Sequence, residues 1–153
     1  LKFGGHPMAA GLSMEEKNVE LFRRRLNDNC TLTEQDLIPK IMIDVPMPIS
    51  YLSKKLTEQL KVLEPFGKGN SKPLFAQKNL RAVGIRVFGR NRNVAKMLLI
   101  DENGIKMDAV YFGEAQEFVD FVQAHDTISV TYYPEINVFQ GRENLQVVIK
   151  NYC

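Results

Sequence analysis

The fold is decided by residues 94–126, which read VAKMLLI (94–100), DENG (101–104), IKMDAVYF (105–112) and GEAQEFVDFVQAHD (113–126). Two runs rich in β-branched and apolar residues flank Asn103-Gly104, the dipeptide that a two-residue hairpin turn favours because both central positions need positive φ. The period then changes. Ala115, Phe118, Val119 and Val122 fall on one helical face, so a helix is predicted over about 113–126.

Outward from this segment the strand pattern continues on both sides. Upstream, about 75–88 reads as a strand followed by the turn Gly89-Arg90-Asn91-Arg92-Asn93; downstream, strands over about 127–138 and 145–152 are separated by a loop from Phe139 to Asn144. Five strands with a helix between strands 3 and 4 define an α+β chain built around a five-stranded OB-fold β-barrel. Such barrels bind oligonucleotides across strands 2 and 3, between the loop joining strands 1 and 2 and the loop joining strands 4 and 5. Here those loops are 89–93 and 139–144, and the sequence reading puts both on the same edge.

Charge points to the same surface. The chain of 153 residues has a net charge of only +2. Yet Lys68, Lys72, Lys78, Arg81, Arg86, Arg90, Arg92 and Lys96 all fall between Pro65 and Ile100, where no acid occurs. From Asp101 to Glu135 acids predominate, with Lys106 the sole basic residue. A polyanion needs local positive charge rather than a basic protein overall; a solvated basic face is the competing reading. Single-stranded nucleic acid also needs rings on which bases stack. The candidates are Phe88, Tyr111, Phe112 and Phe139, with Phe139 favoured by its position at a strand end beside Gln140 and Arg142. Arg90 and Arg92 are the leading phosphate contacts, with Arg81, Arg86, Lys96 and Arg142 in support.

The N-terminal part reads differently. Gly4-Gly5-His6-Pro7-Met8-Ala9-Ala10-Gly11 is too glycine-rich for a core, and glycines let an anion reach backbone N–H groups while His6 adds a ring donor. A loop of this kind normally follows a strand, so a chain that opens just before one is expected to have been cut from something longer. Ser13 and Glu16 form a capping-box signature for a helix over about 14–28 carrying Val19, Phe22 and Leu26. Ile41 to Val45 reads as a strand. Leu52, Leu56, Leu60 and Leu63 mark a second amphipathic helix that Pro65 ends, and 65–73 is a loop or linker. His125 is expected at a helix end, where the dipole favours a cation.

Composition excludes several classes. Hydrophobic content of 44% and charged content of 25% are those of a globular protein, and no apolar run reaches the roughly 20 residues of a membrane span. Cys30 and Cys153 form neither a disulfide framework nor a zinc site. Two-metal phosphodiester chemistry needs converging Asp and His ligands, and His6 and His125 supply no such cluster. A cytoplasmic monomer with no metal of its own is expected.

The motifs resemble a known family. Gly4 to Gly11 is similar to the Gly-Gly-His-x-x-Ala-Ala-Gly motif of the DHH-associated domain of DHH phosphoesterases. The match narrows with Leu63-Glu64-Pro65-Phe66-Gly67-Lys68-Gly69-Asn70, then Asp108 to Gly113, then Glu135 to Arg142 with Leu145-Gln146. In that order they resemble the RecJ family of bacterial single-strand-specific DNA exonucleases. The resemblance implies a parent enzyme that degrades single-stranded DNA from its 5′ end, with Mn2+ or Mg2+ held in a DHH domain absent from this chain. It implies that Gly4, Gly5 and His6 face that domain across the cleft and hold DNA near the scissile phosphate. It further implies a truncated α/β DHH-associated segment at 1–35, a connecting strand, linker helix and loop at 36–72, and the OB domain at 73–153. Partners weighed are single-stranded DNA, a single-strand-binding protein and a helicase. Two alternatives stay open: a barrel that mainly docks a protein, or part of another DHH-type oligonucleotide phosphoesterase.

Overall fold

The glycine run folds as a hairpin rather than a loop. The structure, a computed structural model, describes residues 2–153 and divides into two units, Leu1–Ile41 and Met42–Cys153. In the first unit β1 (Lys2–His6) pairs antiparallel with β2 (Ala9–Ser13), placing Gly4 opposite Gly11 and Gly5 opposite Ala10. Gly5 is required by packing: a Cβ there would lie 2.8 Å from Ala10 Cα.

The helix predicted over 14–28 starts later and in two stages. A 3-10 turn at Glu16–Asn18 leads into α1 (Val19–Asp28). The Ser13 capping box does not form because Ser13 is still paired with Lys2 in the hairpin, and Glu15 enters the turn without a side-chain cap. A capping contact occurs further on, where Asp36 Oδ2 accepts hydrogen bonds from the Thr33 N–H at 2.8 Å and the Thr33 hydroxyl at 2.7 Å.

The second unit begins with a short strand. Of the predicted strand 41–45 only its last residue pairs: β3 (Val45–Pro46) runs parallel to Phe75 and Ala76. Ile41, Met42 and Ile43 are exposed; their apolar run has no sheet partner. The segment is held by Asp44, whose N–H donates to Leu74 O and whose Oδ2 accepts from the Leu74 N–H. The second helix is shorter than its leucine repeat: α2 (Lys54–Leu60) is capped by the Ser53 hydroxyl, which accepts from the Leu56 N–H, and a 3-10 turn follows at Lys61–Leu63. Leu52 is buried in the core, Leu56 and Leu60 pack against it, and Leu63 lies outside.

The sheet then follows from period-2 burial. Its strands are β4 (Phe75–Phe88), β5 (Val94–Ile100), β6 (Lys106–Phe112), β7 (Ile128–Phe139) and β8 (Arg142–Tyr152), with α3 (Ala115–Gln123) between β6 and β7. Strand order is β3-β4-β5-β6-β8-β7, and a β4–β7 pairing joins the ends. One strand serves both sides: β4 pairs with β7 from Phe75 to Leu80 and with β5 from Arg81 to Phe88. Register shifts at Gln77/Leu80 and Val83/Arg86 bend it, with Asn79 and Gly84 at positive φ.

The interior is filled by Leu80, Leu99, Tyr132, Val147 and Ile149, all at most 2% exposed. The α3 helix adds Ala115, Phe118 and Val122. Phe118 stacks on Tyr111 at 4.7 Å and meets Tyr152 edge-on at 4.8 Å. The Tyr132 hydroxyl donates to Met47 O, and burial holds its pKa above the ordinary phenol value. No helix is long and apolar enough to cross a membrane among the described residues.

Candidate nucleic-acid interface

The outer face of the sheet carries an ordered row of side chains. Register places Arg86 beside Lys96, Lys96 beside Val110, Val110 beside Val148 and Val148 beside Tyr133. Their chain neighbours Ala95, Met97, Ala109, Val147 and Tyr132 belong to the core, so alternation turns this row to the opposite face, where Val110 and Val148 are buried and only Arg86, Lys96 and, in part, Tyr133 reach the surface. Parallel to it, Phe88, Val94 and Phe112 form an apolar row whose two rings are 47% and 58% exposed. On the other flank Leu98, Asp108, Gln146 and Glu135 follow one another, with Gln146 Nε2 donating to Glu135 Oε1 at 3.0 Å.

The loop predicted over 139–144 is only a two-residue turn. Phe139 still pairs with Arg142, and Gln140 (φ 48°) and Gly141 (φ 74°) make the bend. Two successive positive φ values are what a tight twisted hairpin requires. The two loops also do not share an edge. Gly89–Asn93 adjoins the Phe112 end of β6, where the Gly113 N–H donates to Asn93 O. Because β8 runs parallel to β6 with Asp108 beside Gln146, Gln140-Gly141 lies beyond the opposite, Lys106, end.

The long β7–β8 arms nevertheless bring predicted residues together. Lys96, Asp108, Asn137, Phe139, Asn144 and Gln146 line one groove of about 280 Å³. Phe139 is 64% exposed, so its face is open to a base. Near its tip the arm is tied by an exposed ion pair of Lys54 Nζ and Glu143 Oε2 at 3.4 Å. The groove holds a cation, an exposed ring, three amides and a carboxylate, which together can contact a phosphate, a base face and a base edge.

Other predicted residues are more dispersed. Arg90 and Arg92 occupy the 89–93 turn; Arg92 has φ 51°, and its guanidinium donates to Gln116 Oε1 at 3.4 Å, tethering the turn to α3. Arg81 sits beside Ile100, at the far end of β5 from that turn. Tyr111 is unavailable for stacking, since Phe118 and Tyr152 already cover it; burial first, and Tyr152 second, raise its pKa. His125 closes the end of α3, with Nδ1 2.7 Å from Phe121 O and its ring stacked on Phe121 at 4.2 Å. Asp108, Asn137, Asn144 and Gln146 were missed. Asn144 falls inside the predicted loop 139–144, whereas Asp108, Asn137 and Gln146 lie in predicted strands and meet only through the long-range β6–β8 and β7–β8 registers.

In the first unit His6 is exposed at the hairpin end, where its Nδ1 accepts from the Met8 N–H at 3.2 Å. That bond leaves Nε2 facing outward as the donor nitrogen. Gly4 and Gly11 each have open space where a Cβ would stand. The groove beside them is bounded by Phe3, Leu12, Met14 and Phe22, an apolar setting for the glycine backbone.

A family model for the RecJ OB domain matches residues 43–151. The chain belongs to the RecJ family. The single-stranded-DNA-specific exonuclease RecJ of Bacillus subtilis is 32% identical over 97% of this chain and 19% of its own length. The protein of the same name from Escherichia coli is 31% identical over 99% of this chain and 26% of its own length. The chain therefore spans about a fifth to a quarter of these RecJ relatives. In structure it is similar to Thermus thermophilus RecJ solved in complex with Mn2+, with a TM-score of 0.71 at 21% identity over 100% of this chain and 22% of that one. That likeness extends the shared fold to the whole chain. The described residues do not fit a RecJ metal site, because no three His, Cys, Asp or Glu side chains among them converge.

Proposed function

We propose that this chain is the strand-holding part of a RecJ-type enzyme that hydrolyses single-stranded DNA from its 5′ end. In this reading strands β4–β8 and α3 form the OB barrel, and Leu1–Ile41 is the closing piece of a DHH-associated domain. Gly4, Gly5 and His6 contribute a phosphate contact to a cleft whose metal ligands lie in another domain. The observation that carries the binding role is the groove that unites Lys96 with Phe139.

The mechanism assigned to these residues is positional. Lys96 neutralises a phosphate, and Arg86 beside it extends the positive track. Phe139 offers its exposed face to a base, while Asn137 and Asn144 hydrogen-bond base edges or sugar oxygens. Stacking on one ring is worth roughly 1–3 kcal/mol per base, and each phosphate contact adds about 0.7 to the salt slope for a single strand.

The test is fluorescence anisotropy of a labelled single-stranded oligonucleotide across a salt series. Lys96→Ala is expected to lower the salt slope by about 0.7, and Phe139→Ala to weaken binding by roughly 5- to 150-fold with the slope unchanged. Wild-type affinity in the Lys96→Ala/Phe139→Ala double variant would overturn the surface. Combined loss of Arg90, Arg92 and Arg142 checks the flanking turns in the same assay.

A further inference from the structure

Behind the β7 edge lies a second concavity, separate from the groove at Lys96 and Phe139. The 3-10 turn after α2, the loop that follows it and β7 enclose about 150 Å³ lined by Lys61, Glu64, Phe66, Lys72, Tyr133 and Glu135 among others. This is below the roughly 300–1,000 Å³ of a site for a drug-sized ligand, so it suits a single planar ring rather than a whole cofactor. Its chemistry is aromatic and cationic. Lys72 Nζ stands 3.7 Å from the Tyr133 ring centroid and 5.8 Å from that of Phe66, and Lys150 Nζ approaches Tyr133 from β8 at 5.2 Å.

We infer that this pocket is a second base-stacking subsite for single-stranded nucleic acid, formed by Tyr133 and Phe66 with Lys72 and Lys150 as its phosphate contacts. The inference rests on the single-strand-binding reading above. Continuity with the first groove supports it. Lys96 and Tyr133 stand three inter-strand steps apart, roughly 14 Å, with the buried Val110 and Val148 between them. A hydrogen-bonded pair forms the divide, since Gln146 lines the groove and its partner Glu135 lines the pocket. Glu64 and Glu135 repel a phosphate from the interior and accept hydrogen bonds from base N–H groups, which puts the ring inside and the phosphates at the lysine rim. A stacking base displaces the Lys72 ammonium from the Tyr133 face, and its own phosphate receives that charge.

The experiment uses the intact 153-residue chain and oligonucleotides carrying one photoreactive 5-iodouracil at successive positions. Cross-links mapped by mass spectrometry are expected at Phe139 for one register and at Tyr133 or Phe66 for a register displaced along the strand. In parallel, Lys72→Ala is expected to weaken binding of a long oligonucleotide 3- to 10-fold and to leave a very short one unaffected, with Lys72→Arg restoring affinity. An oligonucleotide that binds and cross-links at Phe139 but never at Tyr133 or Phe66, with Lys72→Ala unchanged, would overturn the second subsite while the first stands. Absence of any single-strand binding would overturn both.

Discussion

The two units are stabilised by different means. Met42–Cys153 encloses Leu80, Leu99, Phe118 and Tyr132 with no measurable exposure, whereas no described residue of Leu1–Ile41 is buried and only Met14 and Phe22 reach half-burial. A two-stranded hairpin and one helix give little apolar burial to offset chain entropy. The difference teaches that the two candidate sites stand on unequal supports. The groove at Lys96 and Phe139 is mounted on a sheet with its own core; the Gly4-Gly5-His6 hairpin is not.

The largest effect expected from this contrast is at Phe118. Truncation to Ala removes a fully buried ring that touches Tyr111 and Tyr152 and should cost about 3–5 kcal/mol, read as a fall in the thermal midpoint followed by circular dichroism. Leu26→Ala, at a side chain 56% exposed, should change stability by less than about 0.5 kcal/mol. Equal losses at the two positions would break the comparison. An intermediate effect is expected at the glycines. Gly5→Ala forces a methyl against Ala10, an overpacking worth about 1–3 kcal/mol, and should abolish amide-exchange protection along β1 and β2. Gly4→Ala adds its methyl to open space and should preserve that protection, so any effect it has on DNA binding reports access to the backbone.

The smallest effect is electrostatic. The Thr33 backbone N–H, and secondarily its hydroxyl, hold the Asp36 carboxyl below the ordinary value of 3.8. A depressed folded-state pKa contributes stability that is complete above the unfolded value and lost as pH falls through the folded one. The Glu34–Leu37 turn should therefore loosen only below about pH 4, and Asp36→Asn should remove this acid dependence from the exchange rates of its amides.

How much of this was legible depended on burial. The strand over 94–100 was readable because Ala95, Met97 and Leu99 are buried at every second position of a β-branched and apolar run, and that over 75–88 because Phe75 and Leu80 anchor it in the core. At Phe139 and Arg142–Asn144 every side chain is exposed. A strand with two solvated faces has the composition of a loop, so the sequence reading ends the hairpin too early and leaves Asn144 of the groove in a loop. Ile41-Met42-Ile43 failed in the opposite direction, since hydrophobicity favours a strand but supplies no edge to pair with. Lys96 and Phe139 were legible singly as a cation and a ring. Their meeting required the β6–β8 register, which is a long-range property.

The bond between Tyr132 and the Met47 carbonyl joins groups separated by 85 residues. Closing a loop of that length costs on the order of 4 kcal/mol in chain entropy, several times the roughly 1 kcal/mol that one hydrogen bond returns. It therefore cannot lead the folding reaction. The neighbouring pair β5 and β6, joined by the short 101–105 turn, is suited to forming early, and the Met47 contact fastens only after β4 and β7 have met. Until then the open edges of β4 and β7 are the part of the chain most exposed to pairing with another molecule, so the interval before closure sets the window for misassembly.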